Sequence, residues 1–529
     1  MQSRITKASV ALVLIVVLGA ILRLYHLQTV PSEVIVDEID LYNSAHSIVT
    51  MGHDVDGRLV PFLYARFTRN PPLYAVAGFA SSVVFGKTPL GLRLPAVIFG
   101  LTAVLLIYAI AFELTRRRDI ALLAALLQAI APIFIQFSRI AWEPASELPF
   151  LLGGIYVLLL ALRRNAPTLL GWGALLLALT SYTYLAGWFY ALLLGAPLFV
   201  IYIAAYRSWR AVSAVYAAAA LWFLASMPAV WMLFFDPQTS ARIARLAIFA
   251  NGVTPAAIKA FALNYAAQLR WSYLAVNGDP HAGLTWRYLN GFGAFYWWLI
   301  PLALLGVLCT FKYVRGRALA AWVWFWLLVY PLGGALTNEG VANAPRTLAG
   351  APVVCLLAAM GLMLLLDAAG SIKWRVVARS ARFVVAAAFT VVATISVVQF
   401  SWFYFTKFVH QNSNAWDSGT RAMFERIIAE SSHYERVCFS VLPQWYDADS
   451  YSRFYLSGSR LQWLDGIRDP RCSLPGTMIA VDAADPITRP GFADIATIDD
   501  VDGSRFAYIT GRARGEGSLG LGAGFTFLH

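Results

Sequence analysis

Charged residues are scarce in this chain of 529 residues: Asp, Glu, Lys and Arg make up 13%, about half the usual share of a soluble domain. Hydrophobic residues make up 59%, and the mean hydropathy is +0.63. This composition excludes a disordered chain, a collagen and a coiled coil. Because the chain has only four Cys, a small protein held together by disulfides is also excluded. A soluble globule cannot bury so much apolar surface, so the sequence predicts an integral membrane protein with several spans.

Apolar stretches of about 17–24 residues recur along the first three quarters of the chain. We predict eleven transmembrane helices, in a mainly α, polytopic fold. Their predicted ranges are 8–27, 92–114, 120–137, 146–163, 168–186, 188–206, 211–234, 294–311, 318–336, 348–366 and 383–404. The first stretch follows Arg4 and Lys7 and has no small-residue cleavage site, so it is interpreted as an uncleaved span and not as a signal peptide.

The net charge of +12 comes largely from short basic clusters between the apolar stretches. These clusters occur at every second loop, which is the pattern of cytoplasmic loops and not of a nucleic-acid-binding surface. They are Arg4/Lys7, Arg116–Arg118, Arg163/Arg164, Arg207/Arg210, Lys312/Arg315/Arg317 and Lys373/Arg375/Arg379/Arg382. The pattern predicts a cytoplasmic N-terminus, with the long segments 28–91, 235–293 and 405–529 on the outer or periplasmic side of the cell membrane.

The last 125 residues form a polar tail that is predicted to be a small outer-side α/β domain, after a membrane domain of residues 1–404. Strands are predicted at 436–442, 460–465, 477–485 and 505–513, with a helix at 449–458. Cys438 and Cys472 lie in this tail and could pair in an oxidising compartment, whereas Cys309 and Cys355 fall in apolar stretches.

An acidic pair, Asp37-Glu38, follows the first predicted span by about ten residues. Helical periodicity continues through Ile39, Tyr42 and later residues, so the pair begins a short helix. One interpretation is structural, because a carboxylate caps free N–H groups at a helix start. The other is a carboxylate that accepts the proton of an attacking hydroxyl at the membrane surface.

Arginines and a further acid occur in the same predicted outer segments. Arg66, Arg69 and Asn70 precede Pro71-Pro72, and their guanidinium forks suit an anionic group such as phosphate. Arg139 and Glu143 are four residues apart, which would place them on one face if that segment is helical. Structural alternatives are contact with lipid phosphates for the first set and a simple ion pair for the second.

Two further outer segments complete the candidate site. Tyr182 and Tyr184 lie in an aromatic cluster that either anchors the protein at the membrane interface or lines a sugar or lipid-phosphate site. Arg346 stands at the mouth of a predicted span, where it needs an anion or contact with water. No charge lies in the middle of a span in a way that suggests a transport path.

These pieces, in this order, resemble the GT-C superfamily of membrane glycosyltransferases, in its protein O-mannosyltransferase and aminoarabinose-transferase-like branch. The likeness covers roughly residues 8–366. It consists of Asp37-Glu38, NPPLYAV (70–76), GLRLPAVIFGLTAVLLIYAIAFEL (91–114), FSRIAWEPASELPFLL (137–152), SYTYLAGWFYALLLGAPL (181–198) and NAPRTLAGAP (343–352). Such enzymes move a sugar from a polyprenyl phosphate carrier to an acceptor at the outer face.

The resemblance implies roles for individual residues. Asp37, with Glu38 beside it, takes the place of the essential acid, Glu143 that of a second acid, and Arg346 and Arg139 those of ligands to the carrier phosphate. The aminoarabinose-type enzymes carry Glu-Lys before the two prolines, where this chain has Arg69-Asn70, so Arg66 or Arg69 would replace that Lys. No metal is required, although Asp37 and Glu143 could hold a divalent cation.

The sequence therefore predicts an inverting glycosyltransferase with a polyprenyl-monophosphate sugar donor. Its expected partners are that donor, a protein, lipid or glycan acceptor, and membrane lipids, with no nucleic acid. The alternatives are an outer-face glycan polymerase or ligase with a diphosphate-linked donor, a flippase or transporter for lipid-linked sugars, and a scaffolding protein whose tail is the working part.

Overall fold

The computed structural model describes residues 7–53, 71–278, 289, 291–338, 342–411, 416, 418–440, 448–483 and 490–513. The chain divides into two compact units. The membrane unit comprises Met1–Pro31 and Ser44–Phe408, and the α/β unit comprises Ser32–Asn43 and Val409–His529. The division thus falls four residues after the predicted domain boundary, and a short segment from the first predicted outer loop joins the C-terminal unit.

Helices account for nearly all regular structure before the C-terminal sheet. They are α1 (Lys7–Leu24), α2 (Val36–Met51), α3 (Pro72–Phe85), α4 (Pro89–Thr115), α5 (Arg118–Ile130), α6 (Pro132–Phe137), α7 (Glu147–Arg164), α8 (Pro167–Leu179), α9 (Gly187–Tyr206), α10 (Trp209–Phe235), α11 (Pro237–Leu246), α12 (Pro255–Ala267), α13 (Leu299–Tyr313), α14 (Arg317–Val329), α15 (Leu332–Ala335), α16 (Ala344–Thr347), α17 (Pro352–Gly370), α18 (Arg375–Trp402) and α19 (Phe408–Gln411). Short 3-10 helices cover Glu143–Ser146 and Thr180–Tyr182, and π-helical turns cover Ser272–Val276 and Phe403–Lys407.

The expectation of a helical, polytopic membrane protein is confirmed. Among the described residues, eight helical segments are long and apolar enough to cross a membrane: Lys7–Leu24, Pro89–Thr115, Glu143–Arg164, Gly187–Tyr206, Trp209–Met232, Arg317–Ala335, Pro352–Gly370 and Arg375–Gln411. Shorter apolar helices include Pro167–Tyr182 and Leu299–Tyr313, where spans were also predicted. The predicted span 120–137 is broken at Pro132 into α5 and α6, because proline cannot donate the hydrogen bond that would continue the helix. The total of eleven spans stays a prediction.

Acids near the basic clusters at helix ends form ion pairs with some of their arginines. Glu113, which is 6% exposed, pairs with Arg116 and with Arg163 at 2.9 Å. Asp367 accepts from Arg117 at 2.6 Å and from the Tyr313 hydroxyl at 2.9 Å. These pairs join the ends of α4, α7, α13 and α17, so the two acids are structural ion-pair partners and not part of a path through the unit.

Helices α13 and α17 approach closely enough that only glycine fits at two contact points. A Cβ on Gly306 would lie 1.9 Å from the Leu357 carbonyl oxygen, and a Cβ on Gly361 would lie 1.9 Å from that of Leu302. Cys309 and Cys355, on the same two helices, are buried free thiols. Small residues at helix contacts are the usual means of close packing in membrane proteins.

The α/β unit contains a mixed five-stranded sheet of order β2-β1-β3-β5-β4. The strands are β1 (Arg436–Phe439), β2 (Gln462–Asp465), β3 (Thr477–Asp482), β4 (Ala493–Asp499) and β5 (Arg505–Arg512). The β1 strand pairs in parallel with β2 and β3, whereas β5 pairs antiparallel with β3 and β4. Helices α20 (Thr420–Ala429) and α21 (Ala448–Tyr455) and a 3-10 turn at Pro470–Ser473 complete it. The predicted strands and helix are confirmed, and β4 and α20 are additional.

Cys438 and Cys472 form a disulfide with a Cα–Cα distance of 6.0 Å, so the pairing left open by the sequence is present. Both residues are fully buried against Ile479 and Val481. The bond closes a loop between residues 34 apart, which should remove about 3–4 kcal/mol of unfolded-state entropy. We expect the Cys438→Ser/Cys472→Ser variant to lose roughly that amount in the unfolding of the α/β unit, followed by near-UV circular dichroism. An unchanged midpoint in reducing and non-reducing buffer would contradict a stabilising role.

Candidate functional site

One cavity of the membrane unit has a volume of about 520 Å³ and a mostly apolar wall. Its polar lining residues include Arg346 and Tyr184. The apolar part of the wall comes from the start of α9, from α11 and the turn after it, and from the segment after α15. These side chains include Leu185, Trp188, Phe189, Ile243, Leu246, Phe249 and Leu336. The sequence placed Tyr184 and Arg346 in separate segments, and the fold brings them to one cavity.

Arg346 is fixed by the local fold of its short helix. Asn343 caps α16, since its Oδ1 accepts the Arg346 backbone N–H at 3.2 Å. The Asn343 backbone N–H in turn donates to the Gln268 side chain at 2.9 Å, and the Thr347 hydroxyl donates back to the Asn343 carbonyl at 3.1 Å. The backbone of Arg346, a residue that lines the cavity, is therefore held in a capped turn.

Tyr190 and Gly333 also hold the turn that carries Arg346. Neither residue was singled out as a site residue from the sequence. The Tyr190 hydroxyl lies 2.9 Å from the Tyr330 carbonyl oxygen and 3.1 Å from that of Arg346, and it accepts the Gly333 N–H at 3.2 Å. A Cβ on Gly333 would lie 2.0 Å from the Arg346 carbonyl oxygen, so no larger residue fits. No sequence motif marks these contacts, because they join residues about 140–156 apart.

A neighbouring turn, Arg245–Ile248, is pinned to the far edge of the cavity. The Asn338 side-chain amide donates to the carbonyl oxygens of Arg245 at 3.2 Å and of Ala247 at 3.1 Å. The Ile248 N–H donates to the Leu336 carbonyl at 3.0 Å. The end of α11, which supplies part of the apolar wall, is thus attached by backbone bonds to the segment that leads to Arg346.

Arg139 is completely buried, and its guanidinium contacts carbonyl oxygens at the end of α1 and in the segment that follows it. It donates to Leu22 at 3.1 Å, Arg23 at 2.7 Å and Val30 at 2.7 Å, and it lies over the Phe405 ring at 4.9 Å. The last carbonyls of a helix have no partner within the helix, so this cation satisfies and stabilises that end. Its role as a phosphate ligand stays a prediction.

Helical spacing does not link Arg139 to Glu143. Helix α6 ends at Phe137, and Glu143 opens a separate 3-10 turn after Trp142, whose backbone is extended (φ −132°, ψ 150°). The shared helix face, which was expected only if this segment is helical, is not formed, because the five residues between Phe137 and Glu143 turn before the next helix begins. Glu143 is 3% exposed, and its assignment as a second acid is untested.

Glu147, four residues after Glu143, is a buried carboxyl that sequence reasoning passed over. It is fully buried at the start of α7, and within the described part of the chain neither of its carboxyl oxygens has a hydrogen-bond partner. Burying a polar group without a hydrogen bond costs about 1–3 kcal/mol in proteins. The unsatisfied carboxyl of Glu147 therefore destabilises the native structure by about this amount.

We expect Glu147→Leu to stabilise the membrane unit by about 1–3 kcal/mol, because it replaces an unsatisfied carboxyl with an apolar side chain of similar size. The measurement is the thermal midpoint in detergent, followed by reactivity of the buried thiols Cys309 and Cys355. Glu147→Gln serves as the control and should change little, since the amide stays unsatisfied. A midpoint lower than that of the wild type for the Leu variant would show that the carboxyl has an essential partner.

Asp37 and Glu38 belong to the α/β unit, in the first turn of α2. The predicted helix is confirmed, and it ends where Gly52 takes a left-handed conformation (φ +73°). Glu38 is fully buried, and its Oε2 accepts the Ile35 N–H at 3.2 Å, so Glu38 performs the capping contact. Asp37 is partly exposed. The two acids thus have different surroundings, although they are adjacent in sequence.

The other predicted site residues divide into two groups. Arg66, Arg69 and Asn70 lie outside the described residues. Tyr182 is half-buried, and its hydroxyl donates to the Ala225 carbonyl of α10 at 2.7 Å.

Within the described part of the chain, no group of three His, Cys, Asp or Glu side chains could hold a metal ion. Asp37 and Glu143 belong to different units, and a divalent cation held by both stays a prediction.

Comparison with known proteins defines the class of this chain. Residues 13–239 match the family model of dolichyl-phosphate-mannose-protein mannosyltransferases, and the fold is that of solved GT-C enzymes. The chain has the fold of GT-C membrane glycosyltransferases, and the match over residues 13–239 supports a glycosyltransferase, as the resemblance in its sequence implied. No curated protein sequence matches it.

Solved structures similar to the chain include those of two enzymes. ArnT from Cupriavidus metallidurans in the apo state has a TM-score of 0.57 and 11% identity, over 95% of this chain and 98% of that one. The same enzyme bound to undecaprenyl phosphate has a TM-score of 0.54, with 12% identity, 96% and 98%. The archaeal oligosaccharyltransferase AglB from Archaeoglobus fulgidus, in complex with an inhibitory peptide and a dolichol-phosphate, has a TM-score of 0.51, with 14% identity, 90% and 69%.

Proposed function

We propose that this glycosyltransferase moves a sugar from a polyprenyl-monophosphate carrier to an acceptor hydroxyl of a protein, lipid or glycan at the outer face of the membrane, with inversion. One observation carries the proposal: a single cavity of about 520 Å³ combines a mostly apolar wall with the cationic residue Arg346 in its lining. That combination suits a molecule with a hydrocarbon chain and one anionic end.

The two parts of the cavity suit the two parts of such a carrier. Isoprene units bury hydrocarbon against side chains such as Trp188, Phe189 and Leu246, which gives about 25 cal/mol for each Å² removed from water. A phosphate takes bidentate hydrogen bonds from a guanidinium better than from an ammonium. Because the turn that carries Arg346 is held by Asn343 and Tyr190, little entropy is lost when the phosphate binds.

Asp37 is the proposed base. It accepts the proton of the acceptor hydroxyl while the hydroxyl oxygen forms a bond to C1 of the sugar, on the face opposite the phosphate. The bond from C1 to the phosphate oxygen breaks, and the electron pair leaves with the polyprenyl phosphate. Arg346 stabilises the negative charge that grows on this leaving group, and Arg66 or Arg69 are further candidates for that task.

Two of the similar solved structures contain polyprenyl phosphates: undecaprenyl phosphate in ArnT and dolichol-phosphate in AglB. These ligands belong to those proteins, and they support the proposed donor class for this chain through the shared fold. The outer-face assignment rests on the basic clusters at alternate loops, which mark the cytoplasmic side.

The test uses the purified full chain in detergent with two radiolabelled donors, a polyprenyl-monophosphate sugar and a polyprenyl-diphosphate sugar. We expect release of sugar from the monophosphate donor alone. Release from the diphosphate donor alone would overturn the proposal in favour of a glycan polymerase or ligase. Movement of either intact donor across a vesicle membrane, without release from a folded protein, would overturn it in favour of a flippase.

A further inference from the structure

The segment that carries the acid pair is attached at both ends to the C-terminal part of the α/β unit. Glu33 stands four residues before Asp37 and is 2% exposed. Its Oε2 accepts the Arg421 backbone N–H at 3.2 Å, and its Oε1 accepts from the Arg421 guanidinium at 3.2 Å and from the Tyr455 hydroxyl at 3.3 Å. One carboxylate therefore binds two helices, α20 and α21.

Glu33 accepts hydrogen bonds at the N-terminal end of α20, and this position favours its negative charge. Arg421 lies in the first turn of α20, where backbone N–H groups have no partner within the helix and favour negative charge. Burial and the charge of Glu33 raise the pKa of the Tyr455 phenol well above its ordinary value, so the hydroxyl stays protonated and donates. A buried carboxylate needs such a complete set of donors, because an unpaired one would not stay charged.

A second anchor lies six residues after Asp37. The Asn43 side-chain amide donates to the Ser450 carbonyl of α21 at 2.8 Å. The Tyr42 ring contacts the Phe454 ring edge-on, with 5.3 Å between centroids. Asp37 and Glu38 thus lie between two attachment points that both end on α21.

The receiving surface is itself rigid. The Tyr455 ring stacks on Phe424 of α20 with centroids 4.8 Å apart, and Phe424 contacts Phe439 of β1 at 5.4 Å. Strand β1 also carries Cys438 of the disulfide. The acid-bearing segment is therefore fixed to the sheet of the domain through a short chain of packed side chains.

We propose that Glu33 is a positioning residue for the glycosyl transfer, which holds the Asp37 segment on α20 and α21 of the C-terminal domain. The C-terminal domain then supports the segment that carries the proposed base. This proposal rests on the proposed function, since it takes Asp37 as the base. A base displaced by about 1 Å can lose roughly 10²-fold in rate, so the anchor should matter for catalysis.

The test compares Glu33→Gln with Arg426→Gln in the full-length protein. Glu33→Gln keeps the shape of the side chain but removes its charge. The new amide N–H groups would compete for space with the donors of Arg421 and Tyr455. Arg426 is on the same helix as Arg421 and forms an exposed pair with Glu430 at 2.7 Å, so it is a matched control. We expect kcat to fall about 10- to 100-fold in Glu33→Gln with the donor KM within about threefold of the wild type. The control should keep both values.

Hydrogen exchange supplies a readout that does not depend on activity. Amides of residues 35–43 should exchange faster in Glu33→Gln than in the wild type, whereas those of β1 and β3 should not change. Tyr455→Phe, which removes one neutral donor, should show the same pattern with a smaller loss in kcat, and Arg421→Lys should retain most activity. These variants keep the test valid if Glu33→Gln does not fold.

Faster exchange of residues 35–43 with an unchanged kcat would overturn the positioning role, as would an equal loss of kcat in Arg426→Gln. If the wild type releases no sugar from any donor, the proposed function fails. In that case the exchange measurement still reports whether Glu33 anchors the segment. The two failures are therefore distinguishable.

Discussion

Asp37→Asn should lower the kcat for sugar transfer by about 10²- to 10⁴-fold while the protein keeps its fold and its affinity for the donor. The amide has the shape of the carboxylate and can still contact the acceptor hydroxyl, but it cannot accept the proton. The measurement is single-turnover release of labelled sugar with the acceptor present.

The control for this prediction is Asp40→Asn, one turn further along α2, which removes an equal charge from the same helix. It should leave kcat within a few-fold of the wild type. Near-normal turnover in Asp37→Asn would contradict the assignment of the base. A loss well below the expected range would indicate that Asp37 positions the acceptor, as expected if the acceptor is itself a phosphate.

Arg346→Ala should lower kcat/KM for the donor by roughly 30- to 160-fold, which corresponds to the loss of about 2–3 kcal/mol for a hydrogen bond to a charged group. The loss should be larger for the lipid-linked donor than for binding of a polyprenyl alcohol without phosphate, because the apolar wall of the cavity is unchanged. Competition binding with the two lipids in detergent measures this difference directly.

Arg346→Lys and Arg245→Gln complete the series. Lys keeps the charge but loses the bidentate geometry, so it should fall between the wild type and Ala. Arg245 is an exposed residue between two lining residues of the cavity, Ala244 and Leu246, and its loss should have little effect. Equal losses in Arg346→Ala and Arg245→Gln would indicate a general effect of surface charge, and the phosphate assignment would then be wrong.

Sequence reasoning reached the helical architecture because apolar length and composition are local properties. The same holds for α2, whose periodicity through Ile39 and Tyr42 and whose stop at Gly52 are visible in the chain. Strand β4 was missed because its sequence, ADIATID, alternates irregularly at a sheet edge and most of its residues are at least partly exposed. Helix α20 was detectable, since Met423, Phe424 and Ile427 form a buried stripe.

The candidate site was predictable only in part, because several of its contacts join distant residues. Arg346 and Tyr184 could be chosen as residues of one chemical type, but the cavity that joins them depends on Tyr190 and Gly333, which carry no local signal. Arg139 shows the converse. Its sequence position suggested that it binds the carrier phosphate. In the structure its guanidinium donates to the carbonyl oxygens of Leu22, Arg23 and Val30.

The contact between Glu33 and its partners sets an order of events during synthesis. Arg421 and Tyr455 follow Glu33 by 388 and 422 residues, so they leave the ribosome only after nearly all of the helices have been made. Forming such a contact requires closure of a very long loop, which makes it a late step of folding. Nascent chains stalled near residue 404 should therefore contain inserted helices but an unprotected acid-bearing segment, as pulsed hydrogen exchange can measure. The enzyme would become active only once the chain has been made as far as Tyr455 and this contact has formed.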